Sequence, residues 1–210
     1  MPGQSSGLPR LREDLSRLRG SLKLPWRRSG PGDDPYWDAF INRSPADGRN
    51  AITQIIGKAA EGNIFPTVSE LHSDNVTSSH VKELATYLGT QLVGIVDLGK
   101  QDPALARGYP SAIVCAVKAE YDPYTSPGIG GQSAVHHGQF VTFIVAAWIR
   151  EMGFRGTMKL ETSRAERERL AVAAGLGTMT GDGRLTVPKY GTKIHVADPI
   201  FTDLPMLADG

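Results

Sequence analysis

Apolar and polar residues follow two different periods along this chain, and each period predicts a different kind of element. Two runs of mostly consecutive apolar residues rich in Val and Ile, residues 91–97 and 111–119, predict strands that are buried on both faces. Helix-start residues and apolar positions at helical spacing predict helices over residues 44–60, 78–88, 137–152 and 163–174. Residues 154–160 and 193–196 are two weaker strand candidates. This mixed order of elements predicts an α+β fold.

Local signals set the ends of these helices. Ser163 and Glu166 have the spacing of a capping box, in which each residue bonds the backbone of the other. Gly89 and Gly175 stand where a left-handed residue can end a helix. We therefore expect one helix to stop at Gly89 and another to run from Ser163 to just before Gly175.

The first 35 residues differ in composition from the rest. Between Met1 and Arg28 there are seven Arg or Lys and two Asp or Glu, and the turn-rich run SGPGDDP follows at residues 29–35. This pattern predicts a basic N-terminal arm over residues 1–35 and a folded domain over residues 36–210. The arm is expected to be solvated or docked on a partner, with nucleic-acid or membrane contact as the alternative. The net charge of the whole chain, +1, does not indicate a nucleic-acid-binding protein.

The chain has one cysteine, Cys115, inside the predicted strand over residues 111–119. Disulfide frameworks, iron–sulfur clusters and structural zinc sites need several thiols, so the residues of this chain predict none of them. We expect Cys115 to be a small buried apolar side chain. No apolar run reaches the roughly 18 residues that cross a bilayer, and the N-terminal residues lack a secretory signal, so we expect a cytoplasmic protein.

A glycine-rich loop, residues 175–183, follows the last predicted helix. Phosphate-binding loops of the Rossmann and P-loop types need a strand before the glycines and a helix after them, and here that order is inverted. Backbone without side chains can instead lie close to a large flat ligand.

Several polar residues have an ordinary and a functional interpretation. The adjacent pair His136 and His137 cannot chelate a metal alone, because neighbours in a helix point apart. Either is an ordinary histidine at a helix start, or a proton donor or axial ligand to a cofactor metal. Glu161 either favours a helix dipole or transfers protons. Lys193 and His195 either lie on an exposed strand face or contact a ligand.

Three motifs in the C-terminal third of the chain resemble a known group of proteins. They are AGLG at residues 174–177, PKYG at residues 188–191 and FTDLPM at residues 201–206. In this order they are similar to the segment shared by cobalamin-dependent reductive dehalogenases and epoxyqueuosine reductases. The resemblance extends from about Gly108 to Met206.

This resemblance implies a nitroreductase-like α+β core with a mixed sheet. Such a core binds a corrinoid, whose cobalt reduces a small-molecule substrate. Haem, as a similar tetrapyrrole, and flavin, which the implied fold also hosts, are the alternative cofactors. By matching motifs, the residues expected beside the cofactor are Gly175, Leu176, Gly177, Tyr190, Gly191 and Thr202.

The resemblance also implies candidate catalytic residues. Glu161 stands where epoxyqueuosine reductases carry an acid. His136 and His137 stand near the start of the central helix, where dehalogenases carry a proton-donating tyrosine. Lys193 or His195 matches a basic residue that follows the P-x-[FY]-G turn.

Both families continue past the FTDLP close with a cysteine run that holds two iron–sulfur clusters, and the 210 residues here do not include one. We therefore expect reduction to depend on a separate electron-donor protein or iron–sulfur subunit. The alternatives are a non-catalytic cofactor-binding or interaction subunit of a larger complex, and a flavin-type reductase. The sequence leaves open the substrate and whether the chain forms a homo- or hetero-oligomer.

Overall fold

One long strand, β2 (Ser111–Lys118), is the centre of a five-stranded sheet in the computed structural model of the chain. Strand β1 (Leu92–Asp97) pairs along one edge of β2. On the other edge, β7 (Ile200–Thr202) pairs with the first half of β2 and β6 (Ile194–Val196) with the second half. The short strand β3 (Gly156–Thr157) pairs with β7. All of these pairings are antiparallel.

Four helices, a 3₁₀ turn and a small hairpin lie outside this sheet, in addition to the helical residues 53–58. The helices are α1 (Asp74–Tyr87), α2 (Pro103–Ala106), α3 (Ile129–Glu151) and α4 (Arg164–Ala173), and a single 3₁₀ turn spans Leu98–Lys100. Strands β4 (Thr178–Met179) and β5 (Leu185–Thr186) pair with each other, separately from the main sheet.

The structure describes residues 53–101, 103–125 and 129–209. The predicted basic arm and most of the predicted helix over residues 44–60 lie outside the described residues, although residues 53–58 are helical. The division into an arm and a folded domain therefore stays a prediction. Within the described part of the chain, no helix combines the length and the apolar character needed to span a bilayer.

Strand β2 is buried on both faces, which explains its unbroken run of apolar residues. Ile113 and Cys115 lie in one apolar cluster with residues of α1 and α3. Ala112, Val114 and Ala116, which point the opposite way, lie in a second cluster with residues of α4 and the β4–β5 hairpin. Helices therefore cover both faces of the sheet, and the predicted α+β class is confirmed.

The predicted helix ends are confirmed. Ser163 Oγ accepts a hydrogen bond from the Glu166 amide, and the Glu166 carboxylate accepts one from the Ser163 amide. Gly89 and Gly175 have φ values of +100° and +70°. After each glycine, the next amide bonds back to a carbonyl five residues earlier, Thr90 to Ala85 and Leu176 to Ala171, as in a Schellman motif.

Other elements differ from the sequence predictions. Helix α3 begins eight residues before the predicted start at residue 137, despite Gly130 and Gly131. Small residues suit its contact with the sheet, since a Cβ added at Gly138 would lie 2.8 Å from the Ala197 Cβ. The strand expected over residues 154–160 is only two residues long, and β7 was not predicted. Where a mixed sheet was expected, the described strands pair antiparallel.

Cys115 is buried, as predicted. Burial raises the pKa of its thiol to about 12, and a hydrogen bond with Thr90 opposes this only in part. The thiolate, which is the reactive form, is therefore disfavoured at neutral pH.

Gly94 in β1 lets the sheet approach the end of α4 closely. A Cβ at this position would lie 2.7 Å from the Ala174 Cβ and 2.9 Å from the Ala174 carbonyl oxygen. We expect Gly94→Ala to lower the free energy of unfolding by about 1–3 kcal/mol, because backbone atoms must shift to admit the methyl group. Urea unfolding followed by circular dichroism measures this.

Gly181→Ala is the matched control, since an added Cβ there has nothing within 4 Å and the backbone is not left-handed. Its stability should stay within about 0.5 kcal/mol of the parent. Equal effects of the two substitutions would contradict the packing argument.

Candidate functional site

A cavity of about 260 Å³ lies where the loop before α3, the helices α3 and α4, and the end of β6 meet. Its lining residues are Pro123, Tyr124, Gln132, Val135, Gln139, Arg167, His195, Ala197 and Asp198. A second cavity of about 20 Å³, large enough for one water molecule, shares Pro123, Tyr124, Arg167 and His195 with the first. We call the pair of cavities the candidate site.

The first turns of α4 supply the charges of this site. Arg164, Arg167 and Glu168 lie at positions that continue the buried face of the helix toward its N-terminus. Arg164 Nε lies 2.8 Å from Glu168 Oε1, and Glu168 is only 8% exposed. Arg167 Nη1 lies 2.5 Å from Asp198 Oδ1, which joins the helix to the chain after β6. These ion pairs fix both arginine side chains in place.

Tyr124 is held in the site from both sides. Its backbone belongs to a turn in which the Asp122 carboxylate accepts a hydrogen bond from the Tyr124 amide at 3.0 Å. Arg167 Nη2 donates to the Tyr124 hydroxyl oxygen at 2.6 Å. The Arg164 guanidinium lies over the ring, 4.4 Å from its centroid. Because the hydroxyl oxygen already accepts from Arg167, the hydroxyl proton is left for another acceptor.

A third arginine reaches the site from the β4–β5 hairpin. Arg184 Nη2 lies 3.2 Å from Asp122 Oδ2, and Arg164 Nη1 lies 3.6 Å from the same oxygen. Three guanidinium groups thus face three carboxylates, those of Asp122, Glu168 and Asp198. The network is balanced in charge without any ligand.

Three buried polar atoms of the site have no hydrogen-bond partner: Arg167 Nε, Arg184 Nε and Gln139 Oε1. A buried donor or acceptor without a partner costs about 1–3 kcal/mol. Two of these atoms are guanidinium donors, which require an acceptor. Hydrogen bonds within the protein therefore do not satisfy this buried network completely.

His195 on β6 lines both cavities and is 7% exposed. Burial lowers the pKa of its imidazole to about 4, and the positive charges of Arg167 and Arg164 lower it further than Asp122 raises it. At neutral pH the ring is therefore uncharged and offers one donor and one acceptor nitrogen.

Of the five predicted catalytic residues, the structure places only His195 among the residues that line these two cavities. His137 Nε2 donates to the Leu88 carbonyl at 3.0 Å, on the side of α3 that faces α1. His136 is half-buried on α3. Glu161 and Lys193 are exposed.

Five of the six predicted cofactor-side residues belong to the glycine-rich loop or to the turn after β5, and none of the six lines the two cavities. Gly175 ends α4, Leu176 is buried in the core, and Gly177 packs against the Thr186 carbonyl. Tyr190 and Gly191 form a tight turn that Val187 closes with hydrogen bonds to Gly191 in both directions.

Thr202 differs from the other cofactor-side residues. It is fully buried in β7, where its hydroxyl donates to the Arg155 carbonyl at 2.6 Å and accepts from the Leu204 amide at 3.0 Å. These bonds give Thr202 a role within the sheet.

The site arginines and Tyr124 were not predicted from the sequence. A signal was present, because Arg164 and Arg167 precede Ala171 and Ala174 at helical spacing and so continue the apolar face of α4. A charged residue on the buried face of a helix is unusual unless it is paired. Asp122 and Asp198, the partners that pair with these arginines, lie far away in sequence and could not be identified from this pattern.

Solved structures with the same arrangement of elements include reductive dehalogenases. The catabolic reductive dehalogenase NpRdhA aligns with a TM-score of 0.64 and 20% identity over 78% of this chain and 25% of its own. A reductive dehalogenase whose structure suggests a mechanism for B12-dependent dehalogenation aligns with a TM-score of 0.62 and 22% identity over 78% of this chain and 27% of its own. The chain has the fold of part of a reductive dehalogenase. The predicted resemblance is therefore confirmed for the fold.

The chain spans about a quarter of the length of these dehalogenases. An epoxyqueuosine reductase from Bacillus subtilis aligns with a TM-score of only 0.44 and 13% identity, over 64% of this chain and 47% of its own. No family model matches the chain. No curated protein matches it either.

The residues present fit a corrinoid in their chemistry. A corrinoid is a flat macrocycle, and a glycine-rich loop lets backbone lie close to such a surface. A Cβ added at Gly175, Gly181, Gly183 or Gly191 would meet nothing within 4 Å, so the outer side of the loop is open. The 260 Å³ cavity is below the roughly 300–1,000 Å³ of pockets for drug-sized ligands, so the macrocycle would lie outside it. In the described residues, no group of three His, Cys, Asp or Glu is arranged to hold a metal ion.

The lowered pKa of His195 predicts a pH-dependent stability. Because the unfolded state binds a proton below about pH 6.5 and the folded state only below about pH 4, stability falls as the pH drops through this window. The loss should reach about 3 kcal/mol near pH 4 and grow no further below it.

Urea unfolding of the parent and of His195→Gln at pH 7.5, 6, 5 and 4 tests this. The difference between the two proteins removes the contribution of the carboxylates, which titrate in both. Parallel pH profiles would contradict the buried, uncharged state of His195.

Proposed function

We propose that this chain is the corrinoid-binding part of a reductase similar to reductive dehalogenases, and that the candidate site holds its small-molecule substrate. The fold likeness to two reductive dehalogenases, one of them described with B12-dependent dehalogenation, carries this proposal. The open side of the glycine-rich loop and the cavity of about 260 Å³ support it. We also propose that the α+β fold is nitroreductase-like and that the protein is cytoplasmic.

In this proposal the corrinoid lies against the glycine-rich loop. Gly175, Gly177, Tyr190 and Gly191 would contact it through backbone and ring surface, while Leu176 supports the loop from the core. When bound, the corrinoid supplies a metal centre that accepts electrons and passes them to the substrate. Thr202 acts indirectly, by joining β7 to the Arg155 carbonyl.

The candidate site would bind the substrate and supply a proton. Replacing a halogen by hydrogen requires two electrons and one proton for each bond, so a reductase of this kind needs a positioned acid. Tyr124 is the best-placed donor, because Arg167 and Arg164 hold its ring and leave the hydroxyl proton available. His195, uncharged at neutral pH, would hydrogen-bond the substrate. We assign no catalytic role to His136, His137, Glu161 or Lys193.

Reduction also needs a source of electrons. The single cysteine, Cys115, is buried with its pKa raised to about 12 and cannot hold an iron–sulfur cluster alone. We propose a separate electron-donor protein or an iron–sulfur subunit as their source.

Adding hydroxocobalamin to the purified chain tests cofactor binding. We expect a shift in the visible spectrum and co-elution of the corrinoid in gel filtration. Gly181→Phe should abolish both, because a bulky ring would occupy the open side of the loop without a clash in the protein. Ser79→Phe, at an exposed position on α1, is the matched control and should bind as the parent does.

Absence of binding by the parent chain would overturn the corrinoid proposal. A yellow preparation with a flavin spectrum, or a haem spectrum, would identify the alternative cofactor and overturn it equally. Retained binding by Gly181→Phe would exclude the loop as the binding surface.

Tyr124→Phe tests the proposed acid. With titanium(III) citrate replacing the electron donor, and a panel of halogenated aromatic compounds as substrates, turnover should fall by about 10²–10⁴-fold while hydroxocobalamin binding persists. Tyr121→Phe changes an exposed tyrosine of the same loop and should leave turnover unchanged. Equal turnover of the two variants would remove Tyr124 from the proposal.

A further inference from the structure

Helix α3 is apolar on the side that faces away from the sheet as well as on the side that packs against it. Its inner side belongs to the apolar cluster shared with β2 and α1. On its outer side it carries Phe140, Phe143, Ile144 and Ala147 at helical spacing. A helix that is apolar all round is normally covered all round.

The apolar core of the described residues does not cover this outer side. None of the four side chains belongs to an apolar cluster or is a partly buried residue packed against one. Phe140 is 42% exposed, and Phe143, Ile144 and Ala147 are half-buried. Single exposed apolar residues are common on protein surfaces, but several of them in a row along one helix indicate an interaction surface.

The spacing along this side is that of a coiled-coil contact line. Ser133, His136, Phe140, Phe143 and Ala147 follow one another in alternate steps of three and four residues. This repeat keeps one row of side chains against a second helix. We call these five residues the outer stripe. The part of α3 that contains it, residues 131–149, has no Asp, Glu, Lys or Arg, so a helix that docks along it meets no charged side chain of α3 there.

The outer side of α3 is complementary in size to a second, antiparallel copy of itself. In a symmetric dimer, if one residue contacts a second across the interface, the second also contacts the first. With the two-fold axis between Phe143 and Ile144, Phe140 of each copy lies opposite Ala147 of the other, which places a large side chain against a small one. Phe143 of each copy then lies opposite Ile144 of the other.

The same antiparallel register keeps like charges apart. Glu151, the exposed last residue of α3, lies beside His136 of the other copy in this arrangement. The two Glu151 residues are then about 22 Å apart along the helix axis. This distance exceeds the roughly 8 Å over which exposed charges interact at physiological ionic strength. A parallel pair would place the two carboxylates side by side, so the charges favour the antiparallel pair.

We propose that two copies of this chain associate through the outer stripe of α3, antiparallel and about a two-fold axis. From Ser133 to Ala147 the stripe is about 21 Å long and about 10 Å wide, roughly a quarter of the 800 Å² that each partner of a standard interface buries. The remaining area would come from surface beside the stripe. There α1 contacts α3 and exposes 87% of Tyr87. This association goes beyond the proposed function and requires no corrinoid.

Sedimentation equilibrium of the full chain measures the association. We expect a reversible dimer of the parent at micromolar concentrations. Phe140→Glu should weaken it by at least about tenfold, because each dimer would bury two unpaired carboxylates. Met179→Glu is the matched control, since Met179 is 41% exposed and its hairpin packs with the cluster on the other face of the sheet. This control should dimerise as the parent does.

A mixture of two variants tests the antiparallel register. Phe140→Glu and Ala147→Lys should each dimerise poorly alone, whereas an equimolar mixture should form a heterodimer. In that heterodimer the new carboxylate lies opposite the new ammonium group, and the second crossing keeps its native pair of Phe140 and Ala147. Circular dichroism of each variant separates a lost interface from a lost fold, and the mixture itself shows that both variants remain competent to associate.

Three results would overturn the inference. The first is a parent chain that stays monomeric up to about 0.1 mM, as it would if another part of the chain or another protein covers the outer stripe. The second is a dimer that folded Phe140→Glu leaves unchanged, which would place the interface elsewhere. The third is a mixture of folded variants that associates no better than either alone, which would exclude the antiparallel register.

Discussion

The fold depends on the burial of β2 on both of its faces. Each residue of this strand from Ala112 to Val117 is inaccessible to solvent, so both helical layers must remain in contact with it. Because side chains alternate along a strand, this one element divides the core into the cluster shared with α1 and α3 and the cluster shared with α4. The sheet cannot shift against either layer without exposing apolar surface, at roughly 25 cal/mol per Å².

The candidate site lies at the end of the apolar cluster that β2 shares with α4. The apolar face of α4 packs on the sheet through Leu170, Ala171 and Ala174, whereas its first turns line the candidate site together with β6. There the same face carries Arg164 and Arg167, which pair with carboxylates instead of packing on β2. A buried guanidinium needs an ion-pair partner, and the pairing also holds its side chain in one position. A binding site requires side chains that are held in this way.

Elements that depend on neighbouring residues could be predicted from the sequence, and elements that depend on contacts with distant residues could not. The capping box at Ser163 and the left-handed glycines Gly89 and Gly175 depend on residues within a few positions, and the structure confirms them. Strand β7 is three residues long and exists because β2 and β3 flank it, so no local pattern marks it. Helix α3 begins at Ile129 although Gly130 and Gly131 have low helix propensity, so local propensity does not set its start.

The same difference between local and long-range contacts applies to the candidate site. The motifs that resemble reductive dehalogenases identified the glycine-rich loop, and the fold comparison agrees with that resemblance. Tyr124, Arg167, Arg184 and His195 come from four separate stretches of the chain and meet only because α4 and the strand β6 pack against each other beneath the loop before α3. The glycine-rich loop is continuous in sequence, so a motif can identify it, whereas the side chains that line the candidate site come together only through long-range packing. Two proteins can therefore share this fold at 20–22% identity and differ in the side chains that line these cavities, so the fold alone does not determine what the candidate site binds.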